Sequence, residues 1–571
     1  MSLTNSILSM RPLSFRRFLA PLLLAACFAL SWRPLNADDD FWAHAAVGRW
    51  MWEHRAWPSE SLFLWSSEPT LWIAHSWGAQ SVFYALMQAG GGWNAGVNVS
   101  GAASSGFGPM VAVAFTCGVI TLCYALLWHW WNRHARAGTV AVLLFSVAFF
   151  VGGLRFHPRP ELFTALLWTM LLIFLSEQRN DLSHDLRHDL RHGERATSST
   201  RSRGKTWWRE SGIVVMFVFW TNLHGAVALG IGVLLLTALC DLVQFRADEK
   251  SRRLLALAAT CVAATAFNPY GFVAYWKAVL LSSQSATFSR INEWLPALTI
   301  REIGALATDG AMPALLLHAI LVLFLASAAL LFWNQNGRRH WVQALWVVVV
   351  TALFFEQRRH MWLAALTCLT VLAANADALG KMRALQRWNT RMRRDENMPL
   401  PPLFRATFVG AAWLIAIVLS TRLAPLGTWH IVSPQLPDGA CSALEKYFAG
   451  SKKAKPIQVF NEYETSSYLQ WRLNRPQSQV ADRVHADRVL DAAPPPRFAL
   501  FIDLLNAYPD AVTTEYIALL KSDGATLYGR GAQAVVFSAA QRQSALVKKL
   551  KADNRWRQIY SGADGDVWVA N

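Results

Sequence analysis

Residues 38–49 read DDDFWAHAAVGR and follow the first apolar segment of the chain, residues 16–32. Three adjacent carboxylates repel one another, and a loop that only connects two helices has no need of them, although a solvated loop also explains the run. A carboxylate can take the proton of an attacking hydroxyl, which accelerates a reaction by roughly 10²–10⁴-fold. We therefore predict a catalytic carboxylate within the run Asp38, Asp39 and Asp40, and ligands of a divalent cation such as Mg²⁺ or Mn²⁺ in the same run.

The composition of the chain is that of a multi-spanning membrane protein. Hydrophobic residues make up 54% of the 571 positions and charged residues 16%, which excludes an ordinary soluble enzyme. The net charge of +17 lies mostly between apolar segments, as cytoplasmic loops require, so we expect no nucleic acid partner. Six of the seven cysteines lie in apolar stretches, so no disulfide framework is predicted.

Apolar segments long enough to cross a bilayer recur along the first 421 residues. A spanning helix needs about 20 mainly apolar residues, with a lower limit near 17. The predicted spans are 16–32, 109–131, 138–156, 160–176, 207–223, 225–245, 253–267, 312–333, 341–355, 360–376 and 404–421.

Lys and Arg residues set the orientation of these spans, because cytoplasmic loops carry an excess of them. Basic residues precede the first span and recur in the connections 132–137, 177–206, 246–252, 334–340 and 377–403. This pattern predicts a cytoplasmic N-terminus and an extracytoplasmic C-terminus. The stretch 71–88 would invert every later loop if it crossed the membrane, so we interpret it as an interfacial helix on the outer surface. The first span could be a cleaved signal peptide, but Leu35 stands where a small residue is expected and favours an uncleaved anchor.

Five polar clusters fall at the outer side of this predicted topology: 38–44, 155–161, 222–225, 268–271 and 356–360. Ionisable groups at membrane depth usually face a cavity or a partner, so the clusters indicate one outward-facing site rather than a transport pathway near the midplane. Guanidinium groups in them can bind phosphate through charge-assisted hydrogen bonds. The predicted substrate-binding residues are His44, His75, Arg159, Asn222, His224, Asn268, Tyr270, Arg358 and Arg359.

Three of these clusters have an equally good structural explanation. Asn222 and His224 can cap the break between two helices, and Asn268 and Tyr270 can form a turn that ends a helix. Glu356 can form an interfacial ion pair with the arginines that follow it.

The order of these motifs resembles the GT-C superfamily of polyprenyl-phosphate-dependent glycosyltransferases. It is most similar to a bacterial group whose first outer loop reads Asp-Pro-Asp-aromatic-Trp-x-His and then Gly-Arg. Residues 75–77, 159–163, 222–225 and 268–271 also match that group. The chain departs from the pattern at Asp39, where Pro is usual, and at Ala43, where an aromatic residue is usual.

This resemblance implies a polytopic α-helical membrane domain of about 11 transmembrane helices over residues 1–421. Its first outer loop, residues 35–108, is expected to contain juxtamembrane helices and a catalytic carboxylate, Asp38 or Asp40. The implied activity is inverting transfer of a sugar from a polyprenyl-phosphate carrier to a glycan, lipid or protein acceptor outside a bacterial inner membrane. Two alternatives are a polymerase or ligase of lipid-linked glycans and a non-catalytic membrane protein that binds glycans.

Residues 422–571 are predicted to form a separate, extracytoplasmic α/β domain. Short apolar runs at 457–460, 498–502, 534–537, 557–560 and 567–570 predict strands, and 511–522 and 540–552 predict helices. Residues 460–463 and 468–473 resemble the tail domain of the same bacterial group, with Ser466 and Ser467 in place of the usual Gly-Gly. Acceptor binding, covering of the membrane site and a purely structural role are all compatible with this domain.

Overall fold

The computed structural model describes most of the chain, with gaps. The described residues are 16–36, 40–66, 72–92, 107–134, 139–192, 200–244, 249–283, 294–296, 311–333, 341–376, 432–433, 436–450, 455–475, 497–503, 505 and 510–571. The predicted span 404–421, the predicted domain boundary after residue 421, and the carboxylates of Asp38 and Asp39 lie outside these residues.

Each predicted span inside the described residues coincides with a helix. The helices are α1 Arg16–Ser31, α2 Asp40–His54, α3 Trp77–Ala89, α4 Gly108–His134, α5 Thr139–Gly152, α6 Glu161–His192, α7 Thr200–Leu223, α8 Val227–Gln244, α9 Glu249–Ala264, α10 Gly271–Ser283, α11 Ala311–Trp333, α12 Trp341–Glu356 and α13 Met361–Ala374. Within the described ranges, the stretches long and apolar enough to cross a membrane are 108–134, 161–179 and 227–244, and several shorter apolar helices accompany them. The predicted total of about 11 transmembrane helices therefore stays a prediction.

The stretch 71–88, predicted as an interfacial helix, contributes most of α3. That helix has 13 residues, which is too short to cross a bilayer. It packs along α2, where Gly48 makes the contact possible: a Cβ atom at this position would lie 2.1 Å from the backbone oxygen of Gln80.

Buried tryptophans fix the membrane helices to one another. A buried indole N–H needs an acceptor, and threonines on neighbouring helices supply it. The Nε1 of Trp168 donates to Oγ1 of Thr367 at 3.0 Å and joins α6 to α13. The Nε1 of Trp346 donates to Oγ1 of Thr237 at 2.9 Å and joins α12 to α8.

The described residues from 432 onward contain the predicted C-terminal sheet. The five predicted strands are confirmed as β1 Ile457–Asn461, β2 Phe498–Leu500, β3 Ala534–Phe537, β4 Trp556–Gly562 and β5 Gly565–Ala570. Their order is β2-β1-β3-β5-β4, with β2, β1 and β3 parallel and β5 antiparallel to both of its neighbours. The accompanying helices are α14 Asp438–Tyr447, α15 Ser466–Leu473, α16 Asp510–Lys521, α17 Gly524–Arg530 and α18 Ala545–Ala552.

The first outer loop is bonded to this sheet through its backbone. The N–H of Leu500 in β2 donates to the carbonyl of Phe63 at 2.7 Å, and the N–H of Trp65 donates to the carbonyl of Leu500 at 3.0 Å. The indole of Trp65 also donates to the carbonyl of Val459 in β1, at 3.0 Å. The loop thus covers the exposed edge of β2 and holds the sheet against the helical part of the chain.

Candidate functional site

Helix α2 is buried on almost every side and has two polar faces. Asp40 and His44 are four residues apart and share one face, while Trp42 and Arg49 are seven apart and share another. Trp42 packs against Tyr468 of the C-terminal domain, so the face with Asp40 and His44 is turned toward the membrane helices.

Asp40 begins α2 and faces an arginine from a different part of the chain. Its Oδ2 lies 3.4 Å from Nε of Arg159, and both side chains are largely buried. Arg159 stands in the turn just before α6, where its N–H donates to the carbonyl of His157 at 2.8 Å. The first two predicted clusters are therefore in contact.

Glu161, the first residue of α6, holds two further arginines. Its Oε2 accepts a hydrogen bond from Nη2 of Arg155 at 2.6 Å, and its Oε1 accepts one from Nη2 of Arg359 at 2.7 Å. We call Asp40, Arg155, Arg159, Glu161 and Arg359 the ion network. Three guanidinium groups and two carboxylates give it a formal charge of 3 − 2 = +1.

Arg359 is positioned by Trp294 as well as by Glu161. It lies in a single turn between α12 and α13, and its guanidinium carbon stands 4.0 Å from the ring centre of Trp294. The adjacent Arg358 points elsewhere and donates from Nε to the carbonyl of Pro296 at 3.0 Å. The carboxylate bonded to Arg359 is that of Glu161 rather than that of the neighbouring Glu356.

Three histidines lie around this network. Nδ1 of His44 is 3.3 Å from Nε2 of Gln80, and Nδ1 of His224 is 2.8 Å from Oγ1 of Thr164 on α6. Burial lowers the pKa of His44, and the positive charge of nearby Arg159 lowers it further. Burial also lowers the pKa of His75. Both side chains are therefore neutral at pH 7 and can act as hydrogen-bonding groups.

Asn222, Asn268 and Tyr270, predicted to bind substrate, have hydrogen bonds to the protein itself. Oδ1 of Asn222 accepts from the indole of Trp77 at 2.7 Å, and its Nδ2 donates to backbone carbonyls, as that of Asn268 does. The hydroxyl of Tyr270 donates to the carbonyl of Pro58 at 3.0 Å and accepts from the N–H of Ala74 at 3.3 Å. Asn222 and Tyr270 thus tie helix ends to the first outer loop, while Asn268 bonds within its own turn, and we propose a scaffolding role for the three residues.

All five predicted clusters thus meet around the first outer loop. Arg155, Glu161 and Thr164 were not predicted as site residues. Arg155 and Glu161 are the first and last residues of the second predicted cluster, 155–161, but the bond of Glu161 to Arg359, nearly 200 positions away, leaves no local signal.

The described residues give limited support to a metal site. Among them, no group of three His, Cys, Asp or Glu side chains is placed to hold a metal ion. Asp40 faces a guanidinium, which competes with a cation for the same oxygen. The predicted metal site at Asp38 and Asp40 therefore depends on Asp38, outside the described residues.

An apolar cleft opens beside the ion network. It is about 420 Å³ in volume, open solvent included, and Arg155 and Glu161 contribute to its wall. The rest of the lining is mainly apolar and includes Tyr124, Phe156 and Trp362. The cleft therefore places apolar side chains next to the charged groups of the ion network.

No family model and no curated protein sequence matches this chain. Solved structures do. The oligosaccharyltransferase of Archaeoglobus fulgidus in its apo form has a TM-score of 0.54 and 11% identity, covering 95% of this chain and 73% of its own. The same enzyme, AglB, in complex with an inhibitory peptide and a dolichol-phosphate also gives 0.54 and 11%, over 92% and 70%.

A third structure, ArnT from Cupriavidus metallidurans in the apo state, has 12% identity and covers 100% of this chain and 98% of its own. Its TM-score of 0.49 does not establish a shared fold. The likeness to the archaeal enzyme establishes the fold: this chain folds like that oligosaccharyltransferase, and the predicted polytopic helical fold is confirmed to that extent.

Proposed function

We propose that this chain transfers a sugar from a polyprenyl-phosphate carrier to an acceptor on the extracytoplasmic side of a bacterial inner membrane. The observation that carries the proposal is the ion network, in which a carboxylate, Asp40, lies beside an arginine-rich cluster of net positive charge. The N-terminus is cytoplasmic in this proposal, and the domain formed by residues 422–571 is extracytoplasmic.

The reaction needs a base and a stabiliser of negative charge at the same place. Asp40 takes the proton of the acceptor hydroxyl as its oxygen attacks the anomeric carbon. The bond from that carbon to the phosphate oxygen breaks, and its electron pair leaves with the lipid phosphate. Attack opposite the leaving group in one displacement inverts the anomeric centre. Asp38 is the alternative base.

The arginines stabilise the phosphate as its charge increases. A sugar-linked lipid phosphate carries one negative charge and the released phosphate monoester carries up to two. Arg159 and Arg359 can donate to these oxygens in a site with little water, where such interactions are strong. His44 is neutral because it is buried, and His224 is held by Thr164. In this proposal both side chains orient the sugar hydroxyls.

The apolar side chains next to Arg155 can contact the carbons nearest the phosphate of such a donor. A dolichol-phosphate is present in one solved structure of the same fold, which supports a lipid-phosphate ligand for this chain. A cation held by Asp38 and Asp40 would add charge stabilisation at the phosphate, but Asp40 already has Arg159 as its counter-ion. No step of the reaction above requires it.

A mass-spectrometric comparison of surface glycans and lipid-linked sugars tests the proposal. Cells carrying the wild-type chain are compared with cells carrying Asp40→Asn or the control Glu515→Gln, whose carboxylate pairs with Arg530 at the surface. We expect Asp40→Asn to lose one glycan product and accumulate its lipid-linked precursor, while Glu515→Gln matches wild type. Identical glycans in all three strains, with equal amounts of protein in the membrane, would favour a non-catalytic role.

A further inference from the structure

The C-terminal domain contacts the helix that carries Asp40. Its helix α15 lies along α2, and Trp42 packs edge-on against Tyr468 with ring centres 5.1 Å apart. Trp42 is two positions after Asp40 and fully buried. A movement of α15 would therefore shift the start of α2, where the candidate base stands.

A second contact between the same two helices involves a buried charge. Nη2 of Arg49 donates to the carbonyls of Trp471 and Asn474, each at 3.0 Å. These carbonyls are at the C-terminal end of α15, where backbone acceptors lack helical partners and the helix dipole favours a positive charge. The guanidinium carbon also lies 4.4 Å from the ring centre of Trp471.

Arg49 remains charged in this position. Burial lowers its pKa to about 10, so the side chain is protonated at neutral pH although only 6% of it is exposed. A buried cation is costly unless it is compensated, and the end of α15 supplies that compensation. Arg49 thus joins α2 to the C-terminal domain through two hydrogen bonds and one ring contact.

Helix α15 is itself fixed inside the C-terminal domain. Arg472 donates from Nε to Asp438 at 2.7 Å and from Nη1 to Glu445 at 2.6 Å, both on α14. The hydroxyl of Tyr468 donates to the same Asp438 at 3.1 Å. Because these bonds hold α15 to α14, its contacts with Trp42 and Arg49 connect α2 to more of the domain than α15 alone.

We propose that Arg49 is a positioning residue that, by capping α15, fixes α2 so that the carboxylate of Asp40 stays against Arg159. The C-terminal domain is then a required part of the site although it adds no reacting group. About 14 Å separate residues 40 and 49 along the helix axis, from nine residues at 1.5 Å each. Trp42 and Arg49 lie two turns apart on one face of α2. Their contacts with α15 set the rotation of α2 about its axis and its position along that axis.

The inference rests on the proposed function for its kinetic consequence, but its structural consequence is measurable without turnover. Spin labels at Trp52→Cys on α2 and Lys548→Cys on α18 report the distance between the two parts of the full chain in lipid nanodiscs. Six of the seven native cysteines are buried and the seventh is partly buried, which limits background labelling. We expect a narrow distance distribution for the otherwise wild-type chain and a broad one for Arg49→Met.

Arg530→Met is the matched control. Arg530 also crosses between the C-terminal domain and the first outer loop, donating from Nη2 to the carbonyl of Ser66 at 3.1 Å, but this segment does not carry Asp40. We expect Arg530→Met to keep the narrow distribution. An unchanged distribution in Arg49→Met, or equal broadening in both variants, would overturn the inference.

Kinetics of polyprenyl phosphate release test the catalytic consequence. A misplacement of about 1 Å can lower a rate on the order of 10²-fold, so we expect Arg49→Met to lower kcat by that factor. The KM for the lipid donor should stay within about threefold, because the donor site itself is intact. Arg49→Lys, which keeps the charge and the fold but not the fork of donors, should retain an intermediate kcat. Broadened distances with an unchanged kcat would refute positioning, whereas an inactive wild-type chain would refute only the proposed function.

Discussion

Replacing Glu161 with Gln removes the negative charge that holds two arginines while keeping the shape of the side chain. The side chains of Arg155, Glu161 and Arg359 are only 10%, 12% and 18% exposed, so water compensates little for the lost charge. Removing one member of a buried ion pair typically costs about 3–5 kcal/mol. We expect Glu161→Gln to lower the free energy of unfolding by an amount in this range.

Titration with SDS from mixed micelles, followed by tryptophan fluorescence, measures this free energy. The control is Glu515→Gln, because the pair of Glu515 with Arg530 is 34% and 39% exposed and such surface pairs contribute about 0–1 kcal/mol. Inorganic phosphate should stabilise Glu161→Gln more than wild type, since an anion can replace the lost carboxylate between the two arginines. A loss no larger than that of Glu515→Gln, with no effect of phosphate, would refute the ion network as described.

Three further predictions follow from other parts of the site. Asp40→Asn should lower the rate of sugar transfer by roughly 10²–10⁴-fold with normal membrane insertion, measured as released polyprenyl phosphate; a rate near wild type would exclude Asp40 as the base. Gly48→Ala should destabilise the chain, because its Cβ would lie 2.1 Å from the backbone oxygen of Gln80. Gly118→Ala should not, because the space around its Cβ is open. Equal unfolding midpoints for the two variants would contradict this packing. Burial lowers the pKa of His44 below its ordinary value of 6.5, so on acidification the unfolded chain is protonated at this residue before the folded chain. The free energy of unfolding should therefore fall as the pH drops below about 6.5, and His44→Gln should reduce this dependence on pH. An unchanged pH dependence in His44→Gln would count against a buried neutral His44.

The membrane helices and the C-terminal strands could be predicted because their signals are local. A long apolar run encodes a spanning helix, and short alternating or apolar runs encode strands, without reference to distant residues. Helix α2 was harder to delimit from residues alone. It is buried on several sides by both polar and apolar partners, so its sequence shows no single apolar stripe.

The sequence predicted which polar residues lie at the site, but it predicted only some of their roles. Whether Asn222 or Tyr270 faces a ligand or a neighbouring backbone carbonyl depends on tertiary contacts that no motif spacing encodes. The same holds for the bond between Arg359 and Glu161, which joins residues 198 positions apart. The topology predicted from the sequence brings these groups to one side of the membrane, but it does not show which side chains pair with each other.

The central claim is that Asp40 and the arginines around Glu161 form one site that cleaves the bond between a sugar and a lipid phosphate. The most direct measurement is polyprenyl phosphate released by the purified chain in nanodiscs that contain polyprenyl-phosphate-linked sugars and extracted cell-envelope acceptors. We predict release that matches acceptor glycosylation one for one, and a fall of about 10² or more when Asp40 is replaced by Asn. Release at the wild-type rate by Asp40→Asn, or no release by the wild-type chain from any such donor, would contradict it.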